Sequence, residues 1–169
     1  MSRSMKFLLV GIGVVVVLGA GFSACNLDRT AGPEADVRII TRGEEVDLEA
    51  HAVQGKYTVF DFYAAWCPPC RVLSPALERL AAAQSERLAI RKVDIVDWTM
   101  PVAAQHGVES LPYLVLFDPE RRRVASGEEV SAMLLQVFGE NAREVAEATG
   151  VEVPEQILGV ESADDGLVM

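Results

Sequence analysis

The sequence predicts an α/β fold in which a central mixed β-sheet is flanked by helices on both faces. Three observations carry that expectation. Strand-like and helix-like segments alternate from residue 58 to residue 138, the order that layers helices on a sheet. The run "TVFDFY" (58–63) is β-branched or aromatic apart from one acid, the profile of a strand buried on both faces. Two later segments repeat apolar residues at helical spacing: Val72, Leu73, Leu77, Leu80 and Ala81, then Val130, Met133, Leu134, Val137 and Phe138. At 169 residues, half of them apolar, the chain has material for one well-cored domain rather than two.

Residues 1–25 stand apart from that domain. Arg3 and Lys6 precede the apolar run 7–20, and small residues lead to Cys25, which is the basic start, apolar middle and cleavable end of an export signal. The ending "GFSAC" resembles the lipobox of bacterial lipoproteins, whose cysteine becomes the lipidated first residue, with Phe22 where Leu is usual. An uncleaved anchor is the competing reading, because residues 7–24 reach the length of about 18 at which an apolar segment can span a bilayer. Ordinary cleavage is a third. All three place the domain on the periplasmic side, and the first two tie it to a lipid membrane, through Cys25 in the lipoprotein reading. Loss of Arg3 and Lys6 with the leader deepens a net charge that is already −10. So acidic a surface argues against nucleic acid and against a polybasic membrane patch. The one basic cluster, Arg121 to Arg123, is expected to be a solvated turn.

The remaining elements follow in order. Residues 26–36 ("NLDRTAGPEAD") are polar and aperiodic, a tether. The domain is expected over 37–150, opening with a strand at 37–41 and a turn at "RGEE". The strand 58–63 leads through the cysteines into a helix that Pro75 should kink. A strand at 88–95 and a short helix closed by Gly107 come next. Strands 113–117 and 123–126 flank "DPER", which suits a type I turn. Ser126 and Glu129 have capping-box spacing ahead of the following helix, and residues 139–150 add one more. The acidic tail 151–169 shows no pattern.

The chemistry concentrates in "AAWCPPCR" (64–71). A zinc site needs four ligands, and the domain offers only Cys67, Cys70, His51 and His106, with no finger or ribbon spacing. Copper(I) accepts fewer ligands and favours thiolates. A purely structural bridge would close a very short loop, where the entropic gain is least. The redox reading draws on the surroundings. The pair sits where a buried strand gives way to a helix, so Cys67 faces the positive end of the helix dipole, which lowers a thiol pKa. Pro68 and Pro69 withhold two backbone donors, so the expected pKa is nearer ~7 than the ~3.5 of the strongest oxidants. Asp61 is the one ionisable group in the apolar run "TVFDF". Either that strand exposes an edge, or Asp61 is a buried acid with a raised pKa beneath the cysteines, able to take the proton of Cys70. Pro112 in "SLPYL" is either a cis proline or an ordinary trans proline opening an edge strand.

With those residues in view, "VFDFYAAWCPPCRVLSPALERLA" resembles the active-site segment of the thioredoxin family. The matching positions are Asp61, Trp66, Cys67, Cys70, Arg71 and Pro75. "RKVDI" is similar to the family's third strand, whose lysine pairs with the buried acid, here Lys92; "GVESLPYLVLFD" is similar to its cis-proline loop, here Pro112. The likeness covers roughly residues 45 to 138 and implies a thioredoxin fold. It implies that Cys67, the exposed thiol, attacks a protein disulfide and that the more buried Cys70 resolves the mixed disulfide. Asp61 and Lys92 would handle the proton, Trp66 would pack over the pair, and Leu111, Pro112 and Tyr113 would line the substrate groove. No cofactor or metal is implied. Pro68-Pro69 replaces the usual Gly-Pro and resembles the exported, membrane-tethered thioredoxin-like reductases, which implies disulfide-containing exported substrates and a membrane electron donor. Tyr113 stands where a small Thr is common, which detaches substrate identity from the likeness. The alternative is a thioredoxin-fold module that binds clients or copper(I) without turnover.

Overall fold

β-Branched and aromatic segments build five strands, and the amphipathic segments between them cover both faces of the resulting sheet. The computed structural model describes residues 34–154. The leader with Cys25, the tether up to residue 33 and the tail beyond residue 154 lie outside them. The strands are β1 (Asp36–Arg42), β2 (Tyr57–Tyr63), β3 (Leu88–Asp94), β4 (Tyr113–Phe117) and β5 (Arg123–Ser126). Their spatial order is β1-β3-β2-β4-β5. β3 pairs in parallel with both β1 and β2, while β4 runs antiparallel to β2 and β5, so the sheet is mixed and β2 is its centre.

The helices are α1 (Leu48–His51), α2 (Cys70–Ala83), α3 (Pro101–His106), α4 (Glu129–Phe138) and α5 (Arg143–Thr149), with a 3-10 turn at Gly139–Ala142. Leu73, Leu77 and Leu80 of α2 share one core with Val130, Leu134 and Phe138 of α4 and with Val145 of α5. Leu48 of α1 and Val102 of α3 share the other core with Phe60, Phe62 and both cysteines of the pair. Side chains alternate across a strand. β2 therefore gives Val59 to the first core and Phe60 and Phe62 to the second.

Local details depart from expectation in three places. Val72 is 61% exposed and does not belong to the apolar stripe of α2, whose buried face runs instead through Leu73, Ser74, Ala76 and Leu77. Pro75 sits inside α2, where the sequence put it. Its missing N–H frees the Arg71 carbonyl, on the exposed side of the helix where water can take it. The capping box does not form, because Ser126 ends β5 and α4 starts after Glu128, with no side-chain cap. Helix α1 went unanticipated; Asp47 caps it by accepting the Glu49 and Ala50 N–H groups at 3.0 and 3.4 Å. The basic cluster is an exposed turn, as expected, and makes local contacts as well. Arg122 pairs with Asp118, and Arg121 donates to the Glu49 carbonyl on α1. The "DPER" turn closes as expected, the Arg121 N–H donating to the Asp118 carbonyl at 2.9 Å.

Candidate active site

The centre of the sheet delivers the cysteines. β2 ends at Tyr63, a short loop follows, and α2 begins at Cys70. Cys67 and Cys70 are joined as a disulfide, with sulfurs 2.02 Å apart and Cα atoms 5.4 Å apart. The Cys70 N–H donates to Cys67 Sγ at 3.2 Å. Pro68 and Pro69 have no N–H to add, and the Arg71 and Val72 N–H groups go to the carbonyls of Pro68 and Pro69. Cys67 was expected to be the exposed member, yet each cysteine is only 2% exposed. The reason is packing: in the bridged form both sulfurs join the apolar cluster of Phe62, Ala64 and Val93, against which Leu111 and Tyr113 lie.

Asp61 is fully buried at the middle of β2, flanked in register by Lys92 on β3 and Leu114 on β4. The alternative of a solvated strand edge is thereby removed. Its Oδ2 accepts the Ser74 hydroxyl at 2.7 Å and lies 3.7 Å from Lys92 Nζ, whereas Oδ1 has no hydrogen-bond partner. Lys92 also pairs with Glu78 at 3.1 Å and sits 4.7 Å from the centre of the Tyr63 ring. Burial pushes the Asp61 carboxyl above the ordinary carboxylate range, and the Ser74 bond and the Lys92 charge only partly oppose it. Ser74 and Lys92 line a cavity of about 390 Å³ that Cys70 also lines. Asp61 itself does not line this space; its partners Ser74 and Lys92 stand between the acid and it.

Pro112 has a cis peptide bond to Leu111 and leads into β4, an interior strand between β2 and β5. Tyr113 meets Phe62 edge to face at 5.8 Å, and its hydroxyl accepts from Arg123 at 3.4 Å. Trp66 is 49% exposed. Its indole N–H donates to the Val96 carbonyl at 2.7 Å, and its ring lies 6.0 Å from that of Trp98. Val96 holds φ at +59°, a conformation that β-branched residues rarely adopt, and Asp94 Oδ1 accepts its N–H. Sequence reasoning found Trp66 but neither Ser74, Val96 nor Trp98. The available signal was the paired spacing in "DIVDWT", where Asp94 and Asp97 each take the N–H two residues on, at Val96 and Thr99. The histidines lie elsewhere. His51 ends α1 at the surface, and His106 bonds the Val46 carbonyl at 3.0 Å.

Comparison with known proteins meets this geometry. The family model described as Thioredoxin matches residues 43–151. The thioredoxin of Alicyclobacillus acidocaldarius subsp. acidocaldarius is 42% identical over 67 residues, which are 39% of this chain and 63% of that protein. A thioredoxin-like protein of Synechocystis is 36% identical over 84 residues, 48% of this chain and 77% of that one. The chain thus spans less than two thirds of the first and more than two thirds of the second. Thioredoxin O2 from Arabidopsis thaliana, solved in its oxidized state, matches with a TM-score of 0.49 at 21% identity over 62% of this chain and 96% of that one.

Proposed function

The chain belongs to the thioredoxin family, and from that premise we propose that it is a thiol–disulfide oxidoreductase that reduces disulfides of exported proteins. The observation that carries the reading is the Cys67–Cys70 bridge at the head of α2, with a buried, half-partnered Asp61 reaching the same cavity through Ser74 and Lys92. In the reduced protein the Cys67 thiolate attacks one sulfur of a substrate disulfide. A mixed disulfide forms, and the other substrate sulfur leaves as a thiolate that takes a proton from water. Asp61 then accepts the Cys70 proton, and the Cys70 thiolate attacks Cys67 Sγ. The Cys67–Cys70 disulfide forms, the second substrate sulfur departs, and two electrons have passed from the pair to the substrate.

In this proposal Leu111, Pro112 and Tyr113 hold the substrate backbone beside the pair, and Trp66 lines the groove. The single backbone N–H on Cys67 Sγ fits a thiolate stabilised only moderately, which favours the reducing direction. The leader ending at Cys25 supports a periplasmic lipoprotein, and in this reading a membrane protein returns the electrons. Mass spectrometry of the mature N-terminus tests that placement: a diacylated Cys25 supports it, and a free Asn26 terminus overturns the lipid anchor.

The reduction potential of the pair tests the direction. A value near or below ~−250 mV supports a reductase, and one between ~−180 and ~−120 mV makes the protein an oxidant instead. Cys70→Ser tests the chemistry itself, because it should accumulate a mixed disulfide through Cys67 that Cys67→Ser cannot form. If neither variant traps substrate, the exchange reading fails.

A further inference from the structure

Around Asp61, Ser74 and Lys92 have a part in the exchange, and Glu78 has none. Ser74 and Glu78 stand four residues apart on α2, so they share one face of the helix. Ser74 donates its hydroxyl to Asp61 Oδ2 at 2.7 Å, and Glu78 Oε1 accepts from Lys92 Nζ at 3.1 Å. The Lys92 side chain is only 12% exposed, and its ammonium lies over the Tyr63 ring at 4.7 Å. The same ammonium stays 3.7 Å from Asp61 Oδ2, too far for a hydrogen bond, and Asp61 Oδ1 has no partner at all. Glu78 thus takes the N–H that the buried acid lacks. The other groups on this side are Cys70 and Arg71 of α2 and Tyr63 of β2, which line the cavity with Lys92 and Glu78, while β4 sets uncharged Leu114 beside Asp61. A half-exposed ion pair such as Glu78–Lys92 contributes little to stability. Its effect on the acid is of another kind, because an N–H donated to a carboxylate makes it a weaker base.

We propose that Glu78 is a positioning residue for the exchange: it holds the Lys92 ammonium off Asp61 and so keeps the buried acid basic enough to accept the Cys70 proton. The inference rests on the disulfide-exchange reading above. Burial raises the Asp61 carboxyl, the Ser74 bond and Lys92 draw it down, and the Glu78 charge pushes it up again. Glu78→Gln keeps the side-chain length and removes the charge, which releases Lys92 to close on Asp61. The acid then ionises at lower pH, and once ionised it takes the Cys70 proton less readily.

The test uses the full chain in detergent and two readouts. Carboxyl-carbon NMR of the oxidised protein follows the titration of Asp61 itself. Single-turnover kinetics with a disulfide-bridged peptide give the pH profile of mixed-disulfide resolution. In Glu78→Gln the Asp61 midpoint should fall, and the resolution profile should cross that of the wild type, about twofold faster on the acid limb and about twofold slower on the plateau above it. A merely structural glutamate would lower the rate by one factor at every pH and leave the midpoint in place. In a Lys92→Met background no ammonium remains to be held, so adding Glu78→Gln should move neither readout. An unmoved midpoint, profiles that do not cross, or a full shift that persists without Lys92 overturns the inference and leaves the exchange reading standing. If Asp61→Asn resolves as fast as the wild type at every pH, the acid has no place in resolution, and its part in the exchange reading falls together with the inference.

Discussion

The two faces of β2 are made by one strand at one depth, yet one buries only apolar side chains and the other buries an acid among them. Phe60 and Phe62 face the core under α1 and α3, where Phe60 meets Phe117 edge to face at 5.2 Å and Phe62 meets His106 and Tyr113 at 5.4 and 5.8 Å. Val59 and Asp61 face α2. All four residues are fully buried. Burial of the phenylalanines removes apolar area from water and stabilises the fold. Burial of Asp61 strips a carboxylate of water and leaves Oδ1 without a partner, which opposes folding. Depth in the core is therefore no guide to whether a residue serves stability. Both faces hold the domain together through their apolar cores, and the α2 face carries in addition, at Asp61, the cost that the proposed role of the acid would account for.

Breaking the apolar face should give the largest effect. Phe62→Ala removes a ring in contact with two aromatic neighbours, and it should destabilise the oxidised protein by about 3–5 kcal/mol in denaturant unfolding. Breaking the polar face should move stability the other way and the rate downward. The folded pKa of Asp61 lies above its unfolded value of about 3.9. Below that value both states are protonated and the group is silent. As pH rises through the window from there to the folded pKa, the unfolded state gives up its proton first and stability falls, by no more than about 1.4 kcal/mol per pH unit for one proton. Asp61→Asn should abolish that fall, so the variant gains on the wild type above about pH 4 and the gain levels off once Asp61 ionises in the fold. Paired unfolding curves from pH 3 to 9 check the sign. In the same variant, resolution of the mixed disulfide at neutral pH should slow by about a hundredfold and recover in alkali, where Cys70 loses its proton unaided. A variant that resolves at the wild-type rate would leave the buried acid without a function.

What was legible in the sequence was local, and what was missed depends on which distant residues meet. A charge in an apolar run and a Cys-x-x-Cys pair before an amphipathic segment are visible within a few residues, and so are the strands and Gly107 as a helix stop. Ser74 could not be matched to Asp61 from spacing, because 13 residues and the rotation of α2 separate them. The same rotation turns Val72 out to solvent and Ser74 inward, although a hydropathy pattern prefers the reverse. Trp66 was visible, but its partner is a carbonyl 30 residues away on a strained loop. The burial of Cys67 also escaped the sequence, because the Leu111–Pro112 turn and the aromatic cluster that adjoins it come from a separate segment.

Ser74 gives the smallest and sharpest way to probe the comparison, because it alters the polar face without removing the acid. Its hydroxyl donates to Asp61 Oδ2 at 2.7 Å, a bond that favours the carboxylate over the carboxylic acid. Without it, Oδ2 retains only Lys92 at 3.7 Å, and Lys92 is shared with Glu78. Ser74→Ala should therefore hold Asp61 in its protonated form to higher pH, and a protonated acid cannot accept the Cys70 proton. The pH profile of resolution should move toward alkali, and the rate at pH 7 should fall by about tenfold, the worth of one hydrogen bond to a charged group. A merely structural serine would lower the rate equally at every pH, or not at all. Ser74→Thr keeps the hydroxyl and should restore the profile if the added methyl is accommodated against Pro75 and Lys92, which line the same cavity. A shift that appears in Ala and vanishes in Thr ties the pH dependence of exchange to one bond on the face of β2 that buries the acid.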